Sequence, residues 1–136
     1  MFTNMLQNFK PLFNSRWGIY HKSGLWLTII SIFYLATTSV DHTVQSTFND
    51  KFNHLIAFGV LSFLSHIAYQ KSPWFRWAVA LFCYGLFIEL VQYFLPYREF
   101  SLLDLATDLL GIVLYLIIFK PIFDPLLDAP TKRLSH

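Results

Sequence analysis

The stretch LLDLATDLLGIVLYLIIF, residues Leu102–Phe119, decides the fold of this chain. Its length is close to the roughly 20 residues that cross a bilayer core as a helix rising 1.5 Å per residue. Its only charges, Asp104 and Asp108, lie near its N-terminal end. Because a charge at the centre of a membrane helix costs about 2.5–3.5 kcal/mol on insertion scales, two retained carboxylates predict a site.

Three further stretches have the same character: Ser23–Val40, Phe52–Tyr69 and Phe75–Leu95. The chain is 55% hydrophobic and 13% charged, whereas about a quarter of the residues of soluble domains are charged. Too little polar sequence remains to cover four such helices in water. The sequence predicts an all-α fold, an integral membrane four-helix bundle at residues 23–120. A cytoplasmic or interfacial segment, 1–22, precedes the bundle, and a cytoplasmic tail, 121–136, follows it.

The N-terminal segment does not resemble a cleavable signal peptide, because Lys10 and Pro11 interrupt it where an apolar core should lie. Its apolar residues recur at helical spacing, which indicates either a helix along the membrane surface or a partly ordered tail. Cys83 is the only cysteine, so the chain offers no disulfide and no multi-cysteine metal site. A net charge of +2 is too small to indicate a nucleic-acid partner, and no pattern indicates an oligomeric state.

The cations predict the orientation of the bundle. Eight of the ten Lys and Arg residues fall on one side: Lys10, Arg16, Lys22, Lys71, Arg76, Lys120, Lys132 and Arg133. The other side keeps only Lys51 and Arg98. The positive-inside rule therefore places both termini in the cytoplasm, and the loops Asp41–Lys51 and Pro96–Ser101 outside.

The polar residues of the second, third and fourth stretches gather at this outer side. They are Asp50, Lys51, His54, Glu89, Gln92, Arg98, Asp104 and Asp108. Spacings of three or four residues place the members from each helix on one face, and Gly85 extends the face of Glu89 so that a neighbouring helix can approach closely. Glu89 and Asp108 each lie about 10 Å below their helix ends, so we expect these groups to converge. Ser101 is the predicted N-cap of the fourth helix, with Asp104 completing a capping-box pattern.

Four acids in this group face two fixed cations, so its charge must be balanced. Either His54 is protonated, a divalent cation binds, or one proton is shared between Glu89 and Asp108. We favour the shared proton, because no standard metal-ligand spacing is present. That hypothesis predicts that Asp108→Asn is tolerated better than Arg98→Ala, which would leave a buried negative charge without its partner. His66 has no charged partner in the sequence pattern and is interpreted as a packing residue.

The combined motif resembles the VanZ-like family of small bacterial membrane proteins. The resemblance lies in Asp50-Lys51-x-x-His54-x-x-x-Phe58-Gly59-x-Leu61, in Glu89-x-x-Gln92, and in Arg98-x-x-Ser101-x-x-Asp104-x-x-x-Asp108-x-x-Gly111. Tyr97 stands where the family often has glycine, and Asp108 where it often has asparagine. The resemblance implies a multi-pass protein of the bacterial inner membrane with a role in the cell envelope, related to an accessory teicoplanin-resistance protein. It implies no particular reaction.

Two functions of different kinds follow. In the first, an outward pocket binds or processes a lipid-linked or peptidoglycan-related envelope molecule. Lys51 and Arg98 would hold its anionic head group, while Glu89, Asp104, Asp108 and His54 serve in acid–base or metal chemistry. In the second, the cluster is the ion-paired core of a non-enzymatic scaffold or partner-docking module. An ion-conducting bundle is weaker, because the inner halves of the helices supply almost no polar residues.

Overall fold

The computed structural model describes residues 17–39 and 47–127 of the chain. Within them it contains four long helices and no strand, which confirms the predicted all-α class. The helices are α1 (Gly18–Thr37), α2 (Thr47–Ala68), α3 (Trp74–Tyr93) and α4 (Leu102–Leu114), and a π-helical turn (Tyr115–Phe119) then leads into α5 (Lys120–Leu127). The predictions for residues 1–16, for residues 40–46 of the first loop and for residues 128–136 of the tail lie outside the described residues.

Consecutive long helices run in opposite directions. At one end, Lys51 near the start of α2 pairs with Asp104 near the start of α4, and Tyr97 in the α3–α4 loop donates a hydrogen bond to the carbonyl of Thr37. We call this the acidic end, since it holds Asp50, Glu89, Asp104 and Asp108. The opposite, basic end holds Lys22, Lys71, Arg76 and Lys120, and there His66 of α2 contacts Asp124 of α5.

The described part of the bundle exposes apolar side chains and buries polar ones beside an apolar core that includes Phe58, Leu61 and Leu81. Large apolar side chains on every long helix are exposed, among them Leu27 (67%), Ile56 (51%), Phe87 (52%) and Ile117 (67%). Seven polar or charged residues are buried: Ser62, Ser65, His66, Glu89, Gln92, Asp104 and Asp108. Soluble proteins rarely expose large contiguous apolar patches, whereas ionisable groups within membrane segments almost always face the bundle interior.

Among the described residues, two helices are long and apolar enough to cross a membrane, Trp74–Tyr93 and the continuous helix Leu102–Leu127. By length and composition α1 and α2 do not qualify, because they carry more polar residues along their length. Length and composition therefore support two of the four predicted spans.

Two glycines allow the helices to approach closely. A Cβ at Gly111 of α4 would lie 2.6 Å from the backbone carbonyl oxygen of Leu55 of α2, so α2 and α4 touch backbone to backbone. A Cβ at Gly85 of α3 would lie 2.7 Å from Asp108 Oδ2 and 3.2 Å from the ring of Phe58. The predicted role of Gly85 in close packing is confirmed, and Gly85 also leaves room for the carboxylate of Asp108.

The fourth helix extends further than its apolar stretch. The predicted end of the helix was Phe119, whereas the helix continues to Leu127. The N–H of Lys120 bonds to the carbonyl of Tyr115, which widens one turn into a π-helix. Pro121 follows directly; it has no N–H, and its ring would crowd the carbonyl four residues earlier in a regular helix, which accounts for the wider turn at this point.

Candidate functional site

The N-terminus of α4 organises the acidic end. Ser101 is its N-cap, and its hydroxyl accepts a hydrogen bond from the N–H of Asp104 at 3.2 Å, as predicted. The second bond of the predicted capping box is different: the N–H of Ser101 donates to Glu89 Oε2 at 2.8 Å. Glu89 of α3 therefore takes the place expected for Asp104. Its carboxylate lies where the helix dipole favours negative charge, and the carboxylate of Asp104 is left to face α2.

Two pairs of side chains join α2 to α4. Lys51 Nζ lies 3.3 Å from Asp104 Oδ1, and His54 Nδ1 lies 2.9 Å from Asp108 Oδ1. Asp104 and Asp108 are four residues apart and therefore project from the same face of α4. The second pair is the more enclosed, since Asp108 is fully buried and the side chain of His54 is only 12% exposed.

Three buried polar atoms of this end have no hydrogen-bond partner among the described residues: Glu89 Oε1, Asp108 Oδ2 and Arg98 Nε. Arg98 also forms no ion pair within that part of the chain. Arg98 was expected to neutralise part of the buried negative charge. In the structure, Asp108 pairs with His54 instead. Buried polar groups are usually satisfied, so unsatisfied groups of both charges at one end are a functional signal.

The structure brings most of the predicted site residues together. Donor atoms of Asp50, His54 and Asp104 all lie within 4.8 Å of one another, and Lys51 and Asp108 contact this group through the two pairs above. Glu89 is fully buried and bonds to the N–H of Ser101, three residues before Asp104. We call these six residues the acidic cluster: Asp50, Lys51, His54, Glu89, Asp104 and Asp108.

Gln92 does not join the cluster. Its side-chain amide donates to the carbonyl of Ala36 at 3.0 Å and so ties α3 to the end of α1. The neighbouring loop serves the same purpose, since Tyr97 Oη donates to the carbonyl of Thr37 at 2.7 Å. The turn from Leu95 to Arg98 closes with a 3.2 Å hydrogen bond and no positive φ, so it does not need a glycine at position 97.

The acidic cluster is closely packed and opens at its rim. Lys51, whose side chain is 27% exposed, and the half-buried Asp50 lie at that rim, while Glu89 and Asp108 are fully enclosed. Arg98 is half-buried in the α3–α4 loop at the same end of the bundle. Three cavities of about 390, 410 and 420 Å³ are lined by other residues. The last is an apolar groove between α2 and α4, and it includes Leu55, beside His54 in the chain, and Gly111, three residues after Asp108.

A second polar network, at the basic end, was missed from the sequence. His66 Nδ1 lies 2.9 Å from the hydroxyl of Tyr115, and His66 Nε2 lies 3.2 Å from Asp124 Oδ1. Lys120 holds the same carboxylate at 2.8 Å. The interpretation of His66 as a packing residue without a charged partner was therefore wrong. The spacing of four residues between Lys120 and Asp124 could have indicated an ion pair on one helix face. Both residues lie beyond the helix end that hydropathy indicated, so the pair was not considered.

Comparison with known proteins agrees with the motif. A family model described as VanZ/LLP1 matches residues 2–124, a range that includes all four long helices and the whole acidic cluster. No curated protein and no solved structure matches the chain.

Proposed function

The chain belongs to the VanZ/LLP1 family, and from that premise we propose that it is a multi-pass protein of the bacterial inner membrane that binds a lipid-linked molecule of the cell envelope. The acidic end faces outward and receives the anionic head group. The proposal extends to a role in tolerance of glycopeptide antibiotics, which act on the outer face of that membrane.

The exposed faces of α1 and α2 support four membrane spans. Leu27, Ile30 and Leu35 of α1 and Phe52 and Ile56 of α2 are more than half exposed, as are apolar residues of α3 and α4. The polar residues that lower the average hydropathy of α2, such as Ser62 and His66, are buried inside the bundle. A lipid environment suits such a surface. By the positive-inside rule, the cations of the basic end support a cytoplasmic position for that end.

The observation that carries the proposal is Arg98. Its guanidinium lies at the acidic end without an ion-pair partner among the described residues, and its buried Nε has no hydrogen-bond acceptor there. A guanidinium presents a planar fork of donors that matches phosphate or carboxylate oxygens. None of the acids of the cluster pairs with Arg98 in the described part of the chain, so its guanidinium is available to an anion from outside the chain.

The apolar groove between α2 and α4 provides a place for the lipid chain. It has a volume of about 420 Å³, and its lining includes Leu55, the residue after His54, and Gly111, three residues after Asp108. A ligand with a charged head at Arg98 and an apolar chain along this groove matches both surfaces. His54, held by Asp108, is the group best placed to exchange a proton with the bound head group.

Native mass spectrometry of the purified chain in detergent, with an isoprenyl phosphate as the probe, tests this function. We expect binding by the wild type and a loss of more than about tenfold in Arg98→Gln, because a charge-assisted phosphate contact is removed. Arg76→Gln, an exposed cation at the basic end, is the matched control and should bind normally. Equal binding by all three proteins, or binding by none, contradicts the proposal.

A scaffold function is the second candidate, because the same end also ties the helices together. Glu89 to Ser101, Gln92 to Ala36 and Tyr97 to Thr37 are all bonds between different elements. The two functions separate in cells challenged with teicoplanin. If the chain binds a ligand, Arg98→Gln lowers tolerance of teicoplanin while the abundance of the protein is unchanged. If the chain is a scaffold, Arg98→Gln changes neither tolerance nor abundance, whereas Gln92→Ala lowers both tolerance and abundance.

A further inference from the structure

We infer that Asp50, His54 and Asp104 form a site for one divalent first-row metal ion, of the Mn²⁺ or Zn²⁺ kind. The site lies at the acidic end, where α2 and α4 begin. This inference goes beyond the proposed function, since it depends on the geometry of these side chains and not on a lipid-linked ligand.

The three side chains are close enough to share one ion. Each offers a donor atom, and these atoms all lie within 4.8 Å of one another. Three ligands bound to one ion at about 2.0–2.2 Å lie about 3.3–3.8 Å from one another, so side-chain adjustments of about 1 Å close the shell. Asp50 and His54 are four residues apart on α2, and their spacing is therefore fixed by the helix.

His54 is oriented for coordination by a buried acid. Its Nδ1 lies 2.9 Å from Asp108 Oδ1, so the Nδ1 proton is donated to that carboxylate. This arrangement leaves the lone pair of Nε2 for a metal. A carboxylate behind a metal-binding histidine is a frequent arrangement, because it fixes the tautomer and raises the basicity of the ring. Asp108 is thus a positioning residue.

Buried carboxylate oxygens without a partner, on residues bonded to these ligands or to their helix, are an independent observation that favours a cation here. Glu89 and Asp108 are fully buried, and Glu89 Oε1 and Asp108 Oδ2 have no partner among the described residues. Asp108 contacts His54 directly, and Glu89 accepts a hydrogen bond from the N–H of Ser101, the N-cap of the helix that carries Asp104. Lys51 supplies one positive charge, through a long 3.3 Å contact to Asp104. Buried carboxylates of this kind are normally paired or bound to a metal.

The donor set indicates the kind of ion. One imidazole and two carboxylates suit Mn²⁺ or Zn²⁺, whereas Ca²⁺ and Mg²⁺ prefer oxygen ligands throughout. Three protein ligands leave positions for water or for an oxygen of a bound anion. Lys51 competes for the same carboxylate, and binding of the ion displaces it from Asp104.

Titration of the full-length chain in detergent with Mn²⁺, followed by electron paramagnetic resonance, tests the site without any lipid. We expect one bound Mn²⁺ per chain, and a Kd raised more than about tenfold in Asp50→Asn and in Asp104→Asn. Asp50 is half-buried at the start of α2, so the first variant should fold, and circular dichroism and gel filtration verify this. Glu99→Gln is the matched control, an exposed acid in the α3–α4 loop outside the cluster, and should bind like the wild type.

Two further variants distinguish a built site from general attraction by negative charge. Lys51→Gln should lower the Kd for Mn²⁺, because a competing cation is removed, and Arg98→Gln should leave it unchanged. Failure of the lipid-binding experiment would not affect these measurements. The inference is overturned if no Mn²⁺ binds below about millimolar concentration, or if Asp50→Asn and Asp104→Asn bind as tightly as Glu99→Gln.

Discussion

The two ends of the bundle each hold a histidine that contacts an acid, and they differ in what surrounds the pair. At the basic end, Asp124 is held by Lys120 as well as by His66, and His66 packs between the rings of Trp77 and Tyr115. At the acidic end, Asp108 pairs with His54, but one of its oxygens and one of Glu89 have no partner among the described residues.

This difference separates a structural network from a site. In the basic-end network of His66, Tyr115, Lys120 and Asp124, each acid oxygen has a cation or ring nitrogen in reach, so nothing further is required. In the acidic cluster, one buried carboxylate oxygen of Glu89 and one of Asp108 are not bonded by any described residue. Unsatisfied buried polar groups destabilise the folded state. A natural protein keeps them where a ligand or an ion binds to them.

The largest expected effect on stability comes from Gly111→Ala, which should separate α2 from α4 and so disturb the histidine pairs at both ends. The new Cβ would meet the backbone oxygen of Leu55, and α2 and α4 carry both histidine pairs. Overpacking against backbone costs about 3 kcal/mol in the free energy of unfolding. Denaturation in detergent measures this loss. Gly59→Ala is the control, since nothing lies within 4 Å of its Cβ position. Similar stability of the two variants would show that the helices are not tightly apposed.

Asp108→Asn should destabilise the chain more than Asp124→Asn, which sharpens the comparison between the ends. Asp108 is fully buried with one charged partner, and a hydrogen bond to a charged group is worth about 1.5–3 kcal/mol. Asp124 is 32% exposed, and partly exposed pairs contribute about 0–1 kcal/mol. Chemical denaturation of both variants in the same detergent measures the difference. A greater loss in Asp124→Asn would mean that the basic end is the more strongly coupled.

Tyr115→Phe tests the basic-end network alone. It removes the hydroxyl 2.9 Å from His66 Nδ1 and keeps the ring against Trp77 and Phe119. We expect a loss of about 1 kcal/mol in the free energy of unfolding, the usual contribution of one hydrogen bond. Binding of Mn²⁺ at the acidic end should be unchanged. A lower affinity for Mn²⁺ in this variant would show that the two ends are coupled through α2 and α4.

Arg98→Ala should have the smallest effect on stability, within about 0.5 kcal/mol, because it breaks no ion pair among the described residues. The shared-proton hypothesis predicts that it is more harmful than Asp108→Asn, whereas the ion pairs in the structure predict the opposite order. Thermal melts of the two purified variants decide between the rankings. A lower Tm for Arg98→Ala than for Asp108→Asn would restore the shared-proton hypothesis and would mean that Arg98 neutralises a buried carboxylate.

Much of the candidate site was predictable because helical spacing is a local property. Asp104 and Asp108, four residues apart, had to share a face of α4, as had Asp50 and His54 on α2. The pairing between helices was less predictable. Arg98 was the expected partner of a buried acid, but His54 has that place, and Glu89 rather than Asp104 bonds to the N–H of Ser101. Such choices depend on the rotation of each helix about its axis, which spacing within one helix does not fix.

The sequence by itself determined the helical class, the gathering of acids at one end and the need for close contact at Gly85, because each follows from hydropathy, helical period or side-chain size. Only the tertiary structure decided which partner each charge finds, and that α4 continues through a π-helical turn to bring Asp124 to His66. The physical reason is range. A hydrogen bond or an ion pair forms only if the distance between its two atoms is right to within a few tenths of an ångström. Here the two atoms belong to residues about 50 positions apart, so that distance is set by how whole helices pack.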